Sequence, residues 1–148
     1  MKILVKFTLV IVSVTILNSL FVNLNAQTKL NGIYNTSETG INYTFFNDST
    51  SSVKIDTIPV VSSFEFMEVK KKYNKEFKQY ELFINLTKKG SISFAKLTKA
   101  NIGKPLAIII NDKLLAAPLI QTEITDGRLM LTGLDKALVK EIVGYFKK

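Results

Sequence analysis

The chain has 148 residues, of which 47% are hydrophobic, and a formal net charge of +8 at pH 7. This length has room for one domain with a modest core, since domains of about 100 to 150 residues are the commonest size. The chain contains no cysteine and no histidine. Disulfide bonds and thiolate metal sites are therefore excluded, as are histidine metal ligands and the usual general base of hydrolytic triads.

The first residues have the layout of a secretory signal. Lys2 and Lys6 precede an apolar run over residues 7–22, and the polar step that follows ends at the small residue Ala26. We therefore expect residues 1–26 to be a signal peptide and the mature protein to be periplasmic or secreted. The alternative is an uncleaved anchor in the inner membrane, because a spanning helix needs about 20 mostly apolar residues.

The first half of the remaining chain gives the weaker structural signals. Residues 27–52 are rich in Asn, Thr and Ser, which predicts a loosely ordered lead-in with one or two short strands. Residues 53–61 alternate between apolar and polar side chains and predict a strand with a proline near an edge or bend. Ser62 and Glu65 then match a capping box, which predicts a short helix through about Lys71.

The middle of the chain is more regular. Residues 80–86 alternate and predict a second strand with one apolar face. Thr87 is suited to cap a helix over residues 88–100, and Gly103 is suited to the left-handed position that follows a helix end. The unbroken apolar run over residues 106–110 predicts a strand that is covered on both faces.

A hairpin, a further strand and a last helix complete the predicted domain. Asn111 and Asp112 tolerate positive φ and predict a two-residue turn, whose second strand ends at Pro118. A turn over residues 124–128 leads to another strand, and the amphipathic residues 135–146 predict a helix that covers a sheet. Three helices and at least five strands predict an α+β fold, a two-layer domain with a ferredoxin-like or related mixed sheet and helices on one face.

A series of positions in this second half matches a family pattern in order and spacing. They are Leu86, Thr87, Gly90, Phe94, Thr98, Gly103, Lys104, residues 106–110, Lys113, Ala117, Pro118, Ile120, Gln121, Ile124, Thr125, Gly127, Arg128, Thr132 and Gly133. Residues 86–133 thereby resemble the head of the first periplasmic domain of SecD and SecDF, membrane proteins that assist Sec-dependent export. We place a head-like domain at residues 53–148.

The resemblance implies a polypeptide-contacting role, whereas the residues themselves favour a structural one. Gly90, Phe94 and Thr98 are spaced by four and lie along one helix stripe, and Gly103, Gly127 and Gly133 fall where the chain must turn. Relatives usually have Asp-Gly where this chain has Asn-Asp, and often Ser where it has Ala in the following strand. The family's proton-coupling residues lie in transmembrane helices without a counterpart in this sequence, so energy transduction is not implied.

The sequence has no Gly-x-Ser-x-Gly elbow, phosphate-binding glycine loop or dinucleotide fingerprint. Asp112, Glu123 and Asp126 fall in predicted loops, and paired carboxylates catalyse reactions such as glycoside hydrolysis. Turn formation and solvation account for all three, and no loop supplies the alternating oxygen ligands of a calcium cage. We therefore expect no catalytic residues, no metal and no cofactor, with a carboxylate-dependent enzyme as the third hypothesis.

The basic character of the chain points to a solvated surface. Much of the excess positive charge comes from Lys70, Lys71, Lys72, Lys75, Lys78, Lys88 and Lys89. An export signal argues against nucleic acid as a partner, whereas anionic headgroups and acidic polypeptides are compatible with it. The leading hypothesis is a non-catalytic envelope module that binds unfolded or extended polypeptide, for example by strand addition. The second is a subunit that docks onto a membrane or secretion complex without touching its substrates.

Overall fold

The computed structural model describes residues 29–147, in which eight strands and two helices are arranged in two sheets. In chain order the elements are β1 (Gly32–Phe45), β2 (Asp48–Ile55), β3 (Val61–Ser62), a 3-10 turn (Ser63–Glu65), β4 (Phe66–Asn74), β5 (Gln79–Leu86), α1 (Lys88–Ala100), β6 (Leu106–Ile110), β7 (Lys113–Ala116), β8 (Arg128–Leu134) and α2 (Lys136–Tyr145). The predicted α+β class is confirmed. No helix within these residues has the length and apolarity needed to cross a membrane.

The first sheet has the strand order β2-β1-β6-β7, with β3 added to β1. One end of β1 pairs antiparallel with β6, where Gly32 is opposite Ile109. At the other end, Phe45 pairs in parallel with Leu114 of β7. Because β1 reaches both β6 and β7, this sheet curls and closes on itself.

A bulge bends β1 between these two pairings. Ile55 of β2 is opposite both Thr36 and Ile41, so the residues between them bulge out and turn the strand. Gly40 lies at this bend, where an added Cβ would stand 2.1 Å from the carbonyl oxygen of Ile55. The close approach of the two backbones therefore requires glycine.

Strand β6 is buried on both faces, as its apolar sequence predicts. Ile108 and its neighbours two residues away face the main core, whereas Ala107 and Ile109 face a smaller cluster inside the curled sheet. That smaller cluster also contains Tyr34 and Leu114. Both faces of β6 are thus removed from water by packing within one domain.

The second sheet has the order β4-β5-β8 and is antiparallel throughout. Both helices contact β5, and α2 also contacts β4. The main core lies among these elements and the inner face of the first sheet, and its buried members include Phe66, Leu82, Ile84, Phe94, Leu97, Leu131, Leu138, Val139 and Ile142. The strands therefore divide between two sheets; both helices pack against the second, and α1 also contacts β3 of the first.

The helix predicted from Ser62 to about Lys71 is wrong. Ser62 does cap a single 3-10 turn, where its hydroxyl accepts a hydrogen bond from the backbone N–H of Phe64 at 3.4 Å. Glu65, however, does not return to Ser62, because its carboxylate binds Thr87 and Lys89 at the start of α1. The chain then continues as β4, whose pairing with β5 outweighs the local capping signal.

The first half of the chain contains more strand than expected. Instead of a loosely ordered lead-in over residues 27–52, β1 alone spans 14 residues and β2 begins at Asp48. The strand predicted over residues 53–61 instead ends at Ile55, and only Val61 resumes strand structure. Polar side chains suit this hairpin because much of β2 faces solvent.

The elements predicted after residue 79 are confirmed. Strand β5, helix α1 with Thr87 as its N-cap, the β6–β7 hairpin and α2 all form. Two helices are present in the described residues where three were predicted. The predicted signal peptide, residues 1–26, lies outside the described part of the chain.

Candidate functional site

A groove of about 330 Å³ is lined by residues of both sheets and of α1. We call it the β8 groove. Its lining consists of Ile33, Phe94, Leu106, Ile108, Pro118, Leu119, Ile120, Gln121, Thr122, Ile124, Arg128, Leu129, Met130 and Leu131. Most of these side chains are apolar, and in the described part of the chain Arg128 is the one charged residue of the lining.

One wall of the groove is the edge of β8. Among residues 29–147 this strand pairs with β5 alone, so its other edge has no strand partner there. The consecutive residues from Arg128 to Leu131 all line the groove, although successive side chains in a strand point to opposite faces. The groove therefore follows the strand edge, where an unpaired row of N–H and C=O groups is available.

The opposite wall is the segment that follows β7, and main-chain hydrogen bonds hold it in place. Ile120 N–H donates to the carbonyl of Lys104 at 3.0 Å, and the Ile120 carbonyl accepts from Gly103 N–H at 2.8 Å. The Pro118 carbonyl accepts from Leu106 N–H at 3.1 Å. This wall is an extension of the β6–β7 hairpin and is not a free loop.

The floor of the groove is buried and its rim is exposed. Ile33, Phe94 and Leu106 of the floor belong to the main core. On the rim, Leu119 is 58% exposed and Met130 is 56% exposed, on opposite walls. The groove thus offers a strand edge beside an apolar surface, which is the combination that binds extended peptides by strand addition.

The predicted helix stripe lies where the sequence places it. Gly90 packs against the 3-10 turn, and an added Cβ would be 2.8 Å from the Cβ of Glu65. Phe94 is 2% exposed and lines the groove floor. The fully buried Thr98 bonds the backbone, since its hydroxyl donates to the Phe94 carbonyl at 2.9 Å.

Thr87 connects the start of α1 to the 3-10 turn. Its hydroxyl accepts a hydrogen bond from Gly90 N–H at 3.1 Å and donates one to the carboxylate of Glu65. Lys89 lies 3.1 Å from the same carboxylate. The hydrogen bond from Thr87, followed by the contact with Lys89, lowers the pKa of Glu65 below its usual range.

The three predicted turn glycines all have left-handed backbone conformations. The φ angles are +83° at Gly103, +64° at Gly127 and +72° at Gly133. Gly127 also leaves no room for a side chain, because a Cβ would meet Ser91 Oγ. Pro118 lies on the wall of the groove, as do the pattern residues Ile120, Gln121 and Ile124.

The three carboxylates considered for catalysis are engaged separately. Asp112 Oδ1 accepts from Leu30 N–H at 2.7 Å, Glu123 lies 3.5 Å from Lys99, and Asp126 Oδ1 accepts a hydrogen bond from the N–H two residues later at 3.1 Å. Within residues 29–147 no group of three Asp or Glu side chains is placed to hold a metal ion. Each carboxylate thus has a local structural partner.

More than half of the residues that line the β8 groove were singled out from the sequence, but the groove itself was not predicted. The exposed rim residues Leu119 and Met130 were missed. Both have apolar neighbours in the sequence, so no local pattern marks them as exposed, and exposed apolar residues are common on protein surfaces.

The family comparison agrees with this architecture. The model of the SecDF P1 head subdomain matches residues 37–139, which is more than half of the chain. The chain belongs to the SecDF P1 head family. The match begins within β1 and ends within α2, so the P1 head pattern includes strands of both sheets and every residue of the groove lining except Ile33.

Several curated proteins share part of the P1 head sequence. Protein translocase subunit SecD of Leptotrichia buccalis is 46% identical over 48 residues, which is 32% of this chain and 12% of the relative. SecD of Rickettsia conorii is 50% identical over 44 residues, 30% of this chain and 8% of the relative. SecDF of Thermus thermophilus is 34% identical over 59 residues, which is 40% of this chain and 8% of the relative. The chain spans a small fraction of the length of these relatives.

Two solved structures share the fold of this P1 head. A crystal structure of SecDF in the Super-membrane-facing form aligns with a TM-score of 0.60 and 19% identity, covering 75% of this chain and 17% of that one. The structure of a membrane component SecDF that enhances protein export aligns with a TM-score of 0.57 and 19% identity, covering 75% and 57%. At this identity the likeness shows the fold alone.

Proposed function

We propose that this P1 head is a non-catalytic module of the cell envelope that takes part in protein export by binding extended polypeptide in the β8 groove. Membership of the P1 head family supports the export role, since the relatives are protein translocase subunits. The observation that carries the binding mode is the unpaired edge of β8 beside an apolar floor. A periplasmic location, reached through the predicted signal peptide, is part of the same proposal.

The chemistry of the groove suits an extended polypeptide of variable sequence. Main-chain groups of β8 would pair with the main chain of the ligand, which makes the binding energy largely independent of side chains. The apolar floor accepts every second side chain of an added strand. Exposed rim residues Leu119 and Met130 then cover the ligand from both sides.

The opposite edge of the same sheet is less suitable for such binding. Strand β4 carries Lys70, Lys71 and Lys72 in succession, all exposed. Lysines on an edge strand oppose pairing with another chain. Of the two edges of this sheet, β8 is therefore the one that favours strand addition.

We further propose that the pattern positions within α1 and the turns form the scaffold of this groove. Thr98 supports the wall through the backbone N–H of Ile124, and Gly103 bonds the carbonyl of Ile120. Phe94 supplies the floor. Their contribution to ligand binding is then indirect, except at Phe94 and Pro118, which lie at the surface of the groove.

Hydrogen exchange of the full chain tests this binding mode. The probe is a synthetic peptide of alternating valine and serine, and the control peptide has the same sequence with every backbone amide N-methylated. We expect the first peptide to slow exchange at residues 128–131, and the control peptide to have no effect, because it cannot complete a strand ladder. Equal protection by both peptides, or none by either, would contradict strand addition.

Two matched variants test the location. Leu119→Glu places a charge on the groove rim, and Ile102→Glu places one on a similarly exposed apolar residue outside the groove lining, since the two side chains are 58% and 54% exposed. We expect the first variant to weaken peptide binding about tenfold, which corresponds to about 1.4 kcal/mol, and the second to bind normally. Equal losses in both variants would place the site elsewhere.

Crosslinking in cells tests the alternative of a docking subunit. Capture of a single stoichiometric partner, to the same extent with Leu119→Glu as with the wild type, would favour that alternative.

A further inference from the structure

The β4–β5 hairpin ends in a tip that is both basic and aromatic. We define the hairpin tip as residues 70–79, which contain Lys70, Lys71, Lys72, Lys75 and Lys78 but only one acid, Glu76. All five lysines and both Tyr73 and Phe77 are exposed. The tip therefore has a local charge excess on an element that projects from the edge of the second sheet.

Most of this positive charge is not neutralised within the domain. Lys70 lies 2.6 Å from Glu68 on the same strand. For the other four lysines of the tip, no carboxylate of residues 29–147 lies within the 4 Å of an ion pair. The neighbouring acid Glu81 is buried and accepts a hydrogen bond from Asn74 at 2.7 Å instead.

The tip holds a large aromatic side chain in water. Phe77 is 66% exposed, and Tyr73 is 46% exposed although its ring packs against Tyr80 at 5.1 Å. The loop is shaped by Asn74, whose side-chain oxygen accepts from the N–H groups of Glu76 and Phe77 at 3.0 and 3.2 Å. Lys78 completes the turn with a left-handed φ of +51°.

Two functions could account for these lysines, and Phe77 distinguishes them. Lysines on β4 protect a sheet edge from unwanted pairing, but this does not require an exposed phenylalanine at the end of the hairpin. A lysine-rich element with an exposed aromatic residue fits the headgroup region of a membrane, where the ring enters the interface and the ammonium groups meet lipid phosphates. Tyr73 also suits this region, because its ring is apolar and its hydroxyl is polar.

We propose that the hairpin tip docks onto the surface of an anionic lipid bilayer, with Phe77 in the interface and the unpaired lysines at the phosphate groups. Charge complementarity selects this occupant. The four ammonium groups without an ion-pair partner are attracted to an anionic surface and not to a neutral one. The surface is separate from the β8 groove, since no residue of the tip lines it. A P1 head docked in this way would keep its groove available for polypeptide.

The absence of tryptophan from the sequence allows a local test. Phe77→Trp introduces a single tryptophan, at the tip of the full chain. A local reporter is preferable to co-sedimentation because the apolar residues 7–22 could bind vesicles themselves. We expect a blue shift, and quenching by brominated acyl chains, with vesicles of phosphatidylcholine and phosphatidylglycerol but not with phosphatidylcholine alone. Raising the salt concentration should reverse the shift.

Two controls make the outcome decisive. In the Phe77→Trp background, Lys75→Glu with Lys78→Glu should abolish the shift, and Lys136→Glu with Lys140→Glu on α2 should leave it unchanged. A tryptophan at Ile102, which is exposed on another part of the domain, should not be quenched.

Four results would overturn the proposal: an equal response to neutral vesicles, no response to anionic ones, equal loss in both lysine pairs, or equal quenching at position 102. A shift with polyglutamate but not with vesicles would also overturn it, in favour of an acidic polypeptide.

Discussion

The hydroxyl of Thr98 accepts a hydrogen bond from the backbone N–H of Ile124 at 3.0 Å while it donates one to the carbonyl of Phe94 at 2.9 Å. Thr98 is fully buried within α1, and Ile124 lines the β8 groove. One side chain thereby fixes the distance between the helix and the groove wall. Without it, the partly buried N–H group of Ile124 would have no hydrogen-bond acceptor among residues 29–147.

We expect Thr98→Val to lower the free energy of unfolding by about 1–2 kcal/mol, because the volume is conserved but Ile124 N–H loses its acceptor. Urea denaturation measures the change. The control is Thr132→Val on the exposed part of β8, where we expect a change of less than about 0.5 kcal/mol. Equal effects of the two substitutions would mean that the hydrogen bond contributes nothing to stability.

Gly90→Ala and Gly144→Ala should have opposite effects although both glycines are helical. At Gly90 the new methyl group would meet Glu65, with Cβ and carbonyl oxygen only 2.8 and 3.1 Å away. Overpacking of about 1–3 kcal/mol exceeds the gain in helix propensity of about 1 kcal/mol, so we expect a net loss of about 1 kcal/mol. At Gly144 no atom lies within 4 Å, so we expect a gain of about 0.5–1 kcal/mol.

Thermal and urea unfolding of the two alanine variants decide this prediction. A stabilising effect at both glycines would show that α1 can move away from the 3-10 turn. It would also mean that the close approach of Glu65 does not require glycine at position 90.

Stability should fall at high pH through Tyr43. Burial, followed by the hydrogen bond that its hydroxyl donates to Asp112 at 3.1 Å, raises the pKa of Tyr43 to about 12 from the usual 10.0. The folded state therefore keeps this proton between pH 10 and 12 while the unfolded state loses it, and the free energy of unfolding decreases through that window.

Asp112→Asn keeps the acceptor and removes the charge, so we expect the Tyr43 pKa to fall while burial holds it above 10. An NMR titration of the tyrosine ring resonances measures the midpoint, with Asp126→Asn as the control turn substitution. An unchanged midpoint in Asp112→Asn would contradict the assigned contribution of this carboxylate.

The effect of Thr87→Ala should depend on pH. Loss of the N-cap costs about 1 kcal/mol, and the hydroxyl also donates to the carboxylate of Glu65, whose pKa it lowers. A carboxyl group with a lowered folded-state pKa stabilises the fold above its usual value, and this contribution is lost as the pH falls through the folded-state value. We therefore expect a larger destabilisation at pH 7 than at pH 3.

Unfolding titrations of wild type and Thr87→Ala at both pH values test this, with Thr132→Ala as a variant whose effect should not change with pH. A constant difference for Thr87→Ala would limit its role to capping.

The parts of the fold that the sequence predicts well are those decided by local chemistry. Thr87 caps α1 because its hydroxyl reaches the N–H of Gly90. Asn111 and Asp112 adopt φ angles of +52° and +62°, the left-handed pair that a two-residue hairpin turn requires. Such features depend on a few neighbouring residues, and they were predicted correctly.

The parts that were missed depend on distant partners. Ser62 and Glu65 signal a helix locally, but Glu65 binds Thr87 and the following residues pair with β5. The first residues of β1 likewise depend on pairing with the distant β6, whereas the rest of the strand pairs mainly with β2 in a local hairpin. The β8 groove is assembled from residues as far apart as Ile33 and Leu131, so no local pattern could reveal it.

The pairing of β1 with β6 affects the order in which the domain can be completed. Gly32 lies opposite Ile109, so the strand that leaves the ribosome early must wait for a partner made near the end of synthesis. Until then residues 32–35 of β1 lack β6 as a partner strand, and a chain shortened to begin at Val53 would leave one edge of Leu106–Ile110 permanently unpaired. Because β1 pairs with β6 late, the polypeptide would also remain incompletely folded, and able to pass through a narrow channel, until the carboxy-terminal half has emerged.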